Sequence, residues 1–177
     1  MRYVALLRGI NVGGKSLVRM EELRACAEGL GFADVRTYIA SGNLLFSSPE
    51  RSEARLAERL EPALERSFEL PLRVAVLSRA RFGRIVGAGP TVWVGDDSKR
   101  VSVAFVLPSG DARSIARDLT PKDGIDELVV TSGALLMATR RDALTRTGLD
   151  LPAQPHYRDV TVRNLNTVLK LRELLHA

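Results

Sequence analysis

Two stretches of this chain, 91 residues apart, have nearly the same pattern. YIASGNLLF covers residues 38–46 and VVTSGALLM covers residues 129–137. Ser41, Gly42, Leu44 and Leu45 therefore fall on Ser132, Gly133, Leu135 and Leu136. Each stretch is an apolar run, a Ser-Gly turn and a second apolar run, which is the pattern of a β-hairpin. Each also follows an apolar strand and a helix. RYVALLR and RMEELRACAEGLG precede the first hairpin; VSVAFVLPSGD and DARSIARDL precede the second. A β-α-β-β order met twice predicts an internal duplication.

The first copy continues. SPERSEARLAERLEPALERSF places Leu56, Leu60, Leu64 and Phe68 on one helical stripe, with Ser48 as the expected cap and Pro49 in the first turn. Pro62 is expected to kink this helix or split it in two. LRVAVLS reads as a strand and RARFGRIVGAG as a short helix. Residues 1–78 thus read β-α-β-β-α-β, the ferredoxin-like order. Gly42-Asn43 is expected to be a two-residue hairpin turn. The final segment TVRNLNTVLKLRELL spaces Leu165, Val168, Leu169 and Leu175 for a C-terminal helix. The expected fold is α+β: a ferredoxin-like βαββαβ lobe over residues 1–90, then a partly duplicated βαββ lobe with the C-terminal helix over residues 91–177.

Charge is distributed unevenly. Lys and Arg number 26 against 21 acids, a net charge of +5, and the first twenty residues hold Arg2, Arg8, Lys15 and Arg19 with no acid. That placement suits an anion site or a solvated loop. The single cysteine, Cys26, allows no disulfide within the chain and no thiolate metal cluster. The opening MRYVALLRGI has an apolar run too short for a signal peptide or a membrane span, so a cytoplasmic protein without membrane contact is expected.

Gly9, Gly14, Lys15 and Ser16 fit the phosphate-loop pattern G-x-x-x-x-G-K-S. A working loop of that kind opens a helix at its Gly-Lys and uses an Asp at the end of another buried strand. Here the helical stripe begins near Met20, no candidate strand ends in Asp, and the hairpins imply an antiparallel sheet. Nucleotide hydrolysis is not expected. The glycines and cations of the loop remain suited to holding a phosphate or carboxylate.

The motifs LLRGINVGGK, SGN and RNLNTVLKL, in this order, resemble the bacterial domain of unknown function 1697 family, whose signatures are L-R-G-I-N-V-G-G, S-G-N and R-N-W-N-T-V. The resemblance covers essentially the whole chain. It implies a two-lobed α+β fold and implies no activity. The matching positions are Arg8, Gly9, Asn11, Gly13, Gly14 and Lys15, then Ser41, Gly42 and Asn43, then Arg163, Asn164, Asn166 and Thr167. Leu165 departs from the usual Trp, which removes an aromatic platform. The segment TRRDALTRTGL departs as well, where relatives tend to show a turn with Gly and Lys.

Of these, Arg8, Asn11, Gly13, Gly14, Lys15, Ser41, Asn43, Arg163, Asn164, Asn166 and Thr167 are the candidate ligand-binding residues. Arg163 and the two asparagines open an amphipathic helix whose free N–H groups favour anions; the competing role is capping by Thr161 or Asn164. Ser41 has no matching His for nucleophilic catalysis, because His156 lies in a Pro-rich loop and His176 at the end of the chain. No metal ligand set and no cofactor motif stands out.

Three function classes follow. The first is a binder of a small phosphorylated or carboxylated ligand in a basic pocket, formed where Arg8, Asn11, Lys15, Arg163 and Asn164 converge. The second is a nucleic-acid-binding module carried by basic charge, since Tyr3 and Phe46 alone supply aromatics on the strands an RNA-recognition module uses. The third is a structural or partner-binding protein. Whether the chain is an enzyme is left open.

Overall fold

The structure is a computed structural model that describes residues 1–11 and 17–177. The chain divides into two compact units. One comprises Met1–Phe82 with Leu171–Ala177, and the other Gly83–Lys170.

In the first unit, β1 (Arg2–Leu7), α1 (Met20–Gly29), β2 (Ala33–Tyr38), β3 (Asn43–Ser47), α2 (Glu53–Phe68) and β4 (Val74–Ser78) follow one another. The sheet order is β2-β3-β1-β4, and every pairing is antiparallel. This is the ferredoxin-like arrangement expected from the sequence. Alternation along the strands places Tyr3, Ala5 and Leu7 opposite Phe46, Leu44 and Val74, on the face that packs with Leu23 and Ala27 of α1 and Leu56, Leu60 and Leu64 of α2. The rings of Tyr3, Phe46 and Phe32 stack in that core, and the Arg59 guanidinium lies 4.9 Å from the centre of Phe32. The opposite face, with Val4, Leu6, Leu45, Ala75 and Leu77, is buried as well.

The structure moves the cap of α2 and keeps this helix in one piece. The N-cap of α2 is Ser52, whose hydroxyl accepts from the Arg55 N–H at 3.2 Å. Ser48 instead accepts from the Glu50 N–H at 3.2 Å and shapes the turn before the helix. Pro62 neither ends nor divides α2, which runs from Glu53 to Phe68. Pro62 is exposed, so water can serve the carbonyl left without a donor. The hairpin also differs. Tyr38 pairs with Asn43, so the loop holds Ile39, Ala40, Ser41 and Gly42 rather than Gly42-Asn43 alone.

The second unit follows the same plan. α3 (Arg79–Gly87) leads into it. Then come β5 (Lys99–Val106), α4 (Ala112–Arg117), β6 (Asp126–Val130), β7 (Ala134–Arg140) and β8 (Val160–Asn164), with sheet order β6-β7-β5-β8. Some single bonds recur in both copies. Leu7 donates its N–H to the Gly42 carbonyl at 2.8 Å, and Val106 donates to that of Gly133 at 3.0 Å. Ala5 lies opposite Leu44, and Ala104 opposite Leu135. The second copy has one strand more than the sequence pattern suggested. VTVRN forms β8 before α5 (Leu165–His176) begins. Where the first copy has α2, the second has only 3₁₀ turns at Arg141–Arg146, Leu151–Ala153 and Pro155–Asp159.

Asp126 holds that irregular stretch. One oxygen accepts from the hydroxyls of Thr139 at 2.9 Å and Thr147 at 2.6 Å; the other accepts from the N–H groups of Gly148 at 2.7 Å and Lys122 at 3.1 Å. Partial burial pushes its pKa up, but the Thr147, Gly148, Lys122 and Thr139 donors outweigh this and hold the carboxyl below its ordinary value. A carboxylate whose folded pKa is depressed stabilises the fold above its unfolded pKa, and that contribution is lost as pH falls through the folded value. Asp126→Asn is therefore expected to cost about 1–3 kcal/mol at pH 7 and to flatten the loss of stability below about pH 4. Urea titrations of both proteins from pH 7 to pH 3 check this; parallel curves at all pH values would count against it.

Candidate functional site

The candidate residues of the first unit gather at one end of its sheet. Leu6 lies opposite Asn43, and Arg8 donates its N–H to the Arg73 carbonyl at 2.9 Å. Asn11 takes a left-handed backbone, φ 54°. Its amide donates to the carbonyls of Val18 at 3.0 Å and Ala40 at 2.7 Å, and its oxygen accepts from the Val18 N–H at 2.8 Å. Asn11 thus binds the chain on the far side of the glycine-rich loop and also the tip of the hairpin. Asn43 is fully buried; its amide donates to the Tyr38 carbonyl at 2.9 Å and the Ser41 hydroxyl at 3.0 Å. These side chains close loops. Gly13, Gly14 and Lys15 lie outside the described residues.

The RNLNT motif belongs to the second unit up to Lys170, and its members separate by role. Arg163 is a β8 residue, not a helix-opening one. It lies opposite Val103, on a buried sheet face, and its guanidinium donates to the Thr161 hydroxyl and the Val162 carbonyl, both at 2.8 Å. Burial lowers its pKa to about 10, so it stays charged at neutral pH. Asn164 caps α5, accepting from the Thr167 N–H at 2.8 Å. Thr167 is buried, whereas Asn164 and Asn166 are exposed.

Asn164 and Asn166 open onto a cavity of about 230 Å³. It is also lined by Trp93, Asp96, Asp97, Lys99, Arg100 and Arg141. The pairing of Lys99 with Arg140 brings the start of β5 beside the end of β7, and the Arg141 N–H donates to the Ser98 carbonyl at 2.8 Å. Two of these five charges, Lys99 and Asp96, are already engaged. Lys99 pairs with Glu127 at 2.7 Å and Asp96 at 3.5 Å, and Glu127 also accepts from the Trp93 indole N–H at 2.8 Å. The Glu127 carboxylate raises the Lys99 pKa, and Lys99, then Trp93, lower that of Glu127. The Ser98 hydroxyl and N–H, with Lys99, lower Asp96. Arg100 and Arg141 have no ion pair among the described residues, and neither does Asp97.

Arg100 and Arg141 were not singled out from the sequence. The signal was present: the repeat places β5 against β7, so Lys99-Arg100 and Arg140-Arg141 become neighbours once the register is known. The other sequence candidates have local partners. His156 bonds through Nδ1 to Asp118. Tyr3 and Phe46 are core residues, 0% and 2% exposed, and form no open stacking surface. No group of three metal-ligating side chains is placed to hold an ion among the described residues, and no described helix is long and apolar enough to cross a membrane.

The architecture defines a two-lobed α+β protein built by duplicating one four-stranded antiparallel sheet. The chain belongs to the protein family of unknown function DUF1697, whose model matches residues 1–136. A solved structure of the conserved bacterial protein SP0830 from Streptococcus pneumoniae is similar over 98% of this chain and 98% of that one, at 32% identity and a TM-score of 0.84. Among curated proteins, none matches the chain.

Proposed function

We propose that this protein binds a small phosphorylated or carboxylated molecule in the cavity in front of α5. The observation that carries this reading is the pair of arginines, Arg100 and Arg141, that flank the cavity without an ion pair among the described residues. Two unneutralised guanidinium groups, Arg100 at the start of β5 and Arg141 just past the end of β7, repel each other, and an anion between them relieves that cost while accepting charge-assisted hydrogen bonds. Asn164 uses its oxygen as a cap, which leaves its NH2 group to donate. The start of α5 adds a favourable dipole. Asp97 offers an acceptor to a hydroxyl or ammonium on the same ligand. A volume near 230 Å³ has room for a small anionic group.

Inorganic phosphate, citrate and AMP, each tested alone, are the first probes. At least one is expected to raise the melting temperature of the wild type. In Arg141→Ala the shift is expected to fall at least tenfold in apparent affinity, because one bidentate partner is lost. The exposed side chain leaves the fold unaffected. An equal shift in the variant would sink this site. Binding of single-stranded DNA or RNA with steep salt dependence would favour the nucleic-acid reading instead.

A further inference from the structure

The two copies of the sheet treat their outer hairpin strand differently. β2 and β6 are equivalent edge strands, each paired on one side only, to β3 and β7. The edge of β2 is blunted. Its register shifts between Ala33 and Arg36, Asp34 has a left-handed backbone at φ 53°, and Asp34 and Arg36 are exposed. A bulge and exposed charges are the usual means of keeping an edge from accepting another strand. β6 has neither device near its end. Its register with β7 is unbroken from Asp126 to Val130.

The direction of its free backbone groups follows from the ladder. Thr131 donates to the Ala134 carbonyl at 2.9 Å, and Arg140 donates to the Ile125 carbonyl at 3.0 Å. Antiparallel pairs alternate between hydrogen-bonded and non-bonded. Residues 127 and 129 therefore turn their N–H and C=O groups toward β7. Leu128 and Val130 turn theirs away from the sheet.

Beside this edge runs a groove between β6 and α4. Val130, 40% exposed, Ala112 and Ala116 form its apolar floor; Asp111, Arg113, Thr131 and Ser132 line the rest. Asp111 is occupied as the cap of α4, accepting from the Ser114 N–H at 2.8 Å. Arg113 and Arg117 stand one turn apart on α4, and neither has an ion pair among the described residues. One wall of the groove is thus a strand edge with free donors and acceptors, and the other is a short basic helix.

We propose that β6 accepts an extended acidic peptide of a partner protein as an additional strand. Its backbone bonds to Leu128 and Val130, its apolar side chains fill the gap between Val130 and Ala116, and its carboxylates face Arg113 and Arg117. This is strand addition, in which the main chain supplies affinity and alternate side chains supply specificity. Charge argues against a second copy of this chain as the occupant. Pairing β6 with β6 would bring Arg113 and Arg117 of both copies toward each other, while the nearby acids Asp111 and Glu127 are already engaged, as the α4 cap and with Lys99 and Trp93.

The test uses a display library of random decapeptides against the full chain. The expected result is enrichment of sequences that alternate apolar residues with Asp or Glu. On binding, hydrogen exchange should slow at the amides of Leu128 and Val130. Val130→Pro removes an outward N–H and obstructs strand addition without taking a bond from the β6–β7 ladder; it is expected to weaken binding at least tenfold. Arg113→Glu lies on an exposed helix face, keeps the fold, and should weaken binding by a similar factor. Three results would overturn the proposal: no enriched peptide, binding retained in Arg113→Glu, or a dimer that both substitutions dissolve. Loss of the phosphate or nucleotide shift in Arg141→Ala tests the other site, so the two readings fail separately.

Discussion

Gly148→Ala is expected to destabilise the protein by more than about 4 kcal/mol, the range reserved for severe core or backbone defects. A Cβ built on Gly148 would lie 1.7 Å from the Thr120 carbonyl oxygen and 2.6 Å from its carbon. A Cβ has no rotamer by which to escape, and its obstacle here is backbone. One of the two segments must move by more than an ångström. Both are held: Thr120 donates to the Gly148 carbonyl at 3.1 Å, and Gly148 donates to Asp126 at 2.7 Å. The shift would break both bonds and release the Asp126 network that orders the stretch replacing a second helix. For a chain of this size the melting temperature should fall by about 10 °C or more. Gly87→Ala is the control. It lies at the exposed end of α3 with nothing within 4 Å of its added methyl, and it is expected to change stability by less than about 1 kcal/mol. A drop below about 2 kcal/mol for Gly148→Ala would mean that the 120 and 148 segments separate easily, and the packing argument would fail.

Gly42→Ala is the second large effect, expected at about 2–4 kcal/mol. Two costs add. Gly42 has φ 75°, a left-handed backbone that costs an L-residue about 1–2 kcal/mol. Its Cβ would also lie 2.7 Å from Ile10 Cδ1 and 2.8 Å from Leu7 Cβ. The Ile10 methyl can swing aside, but the Leu7 Cβ is fixed by β1. Both residues are buried, at 3% and 1% exposure, so strain there enters the core. Because Leu7 donates its N–H to the Gly42 carbonyl, the hairpin tip and the end of β1 should loosen together. Chemical denaturation gives the magnitude. Hydrogen exchange at Leu7 should accelerate by the same free energy, while the ladder of β5 and β7 stays protected. A change confined below about 1 kcal/mol would show that the turn adapts, and would leave the Ser-Gly-Asn motif without this explanation.

The family motifs acquire a plain physical meaning in this light. Gly42 is the residue that fits against Leu7 and Ile10, Asn43 closes its own hairpin, and Asn11 links the end of the glycine-rich loop to the hairpin tip. Asn164 caps α5. Arg100 and Arg141, on which the proposed site relies together with the Asn164 amide, lie outside those motifs.

Local pattern was enough to determine the order of strands and helices in the first copy, the bounds of α1, α3 and α4, and the duplication. Hairpins, caps and amphipathic stripes are short-range, so neighbouring residues specify them. The shared β2-β3-β1-β4 and β6-β7-β5-β8 order follows once the repeat is seen. Tertiary structure alone decided the rest. The strand VTVRN merges with the helical periodicity that follows it, and it becomes β8 because β5 offers it a partner about 60 residues away in sequence. Arg163 reads as a surface cation at a helix start, but its strand register turns it onto a buried face. Arg100 and Arg141 lie 41 residues apart, and the pairing of β5 with β7 makes them neighbours. β6 and β2 are edge strands of equivalent hairpins, but the register shift between Ala33 and Arg36 in β2 has no counterpart in β6. Register and burial depend on which distant strands meet, and no window of sequence holds both sides of that contact.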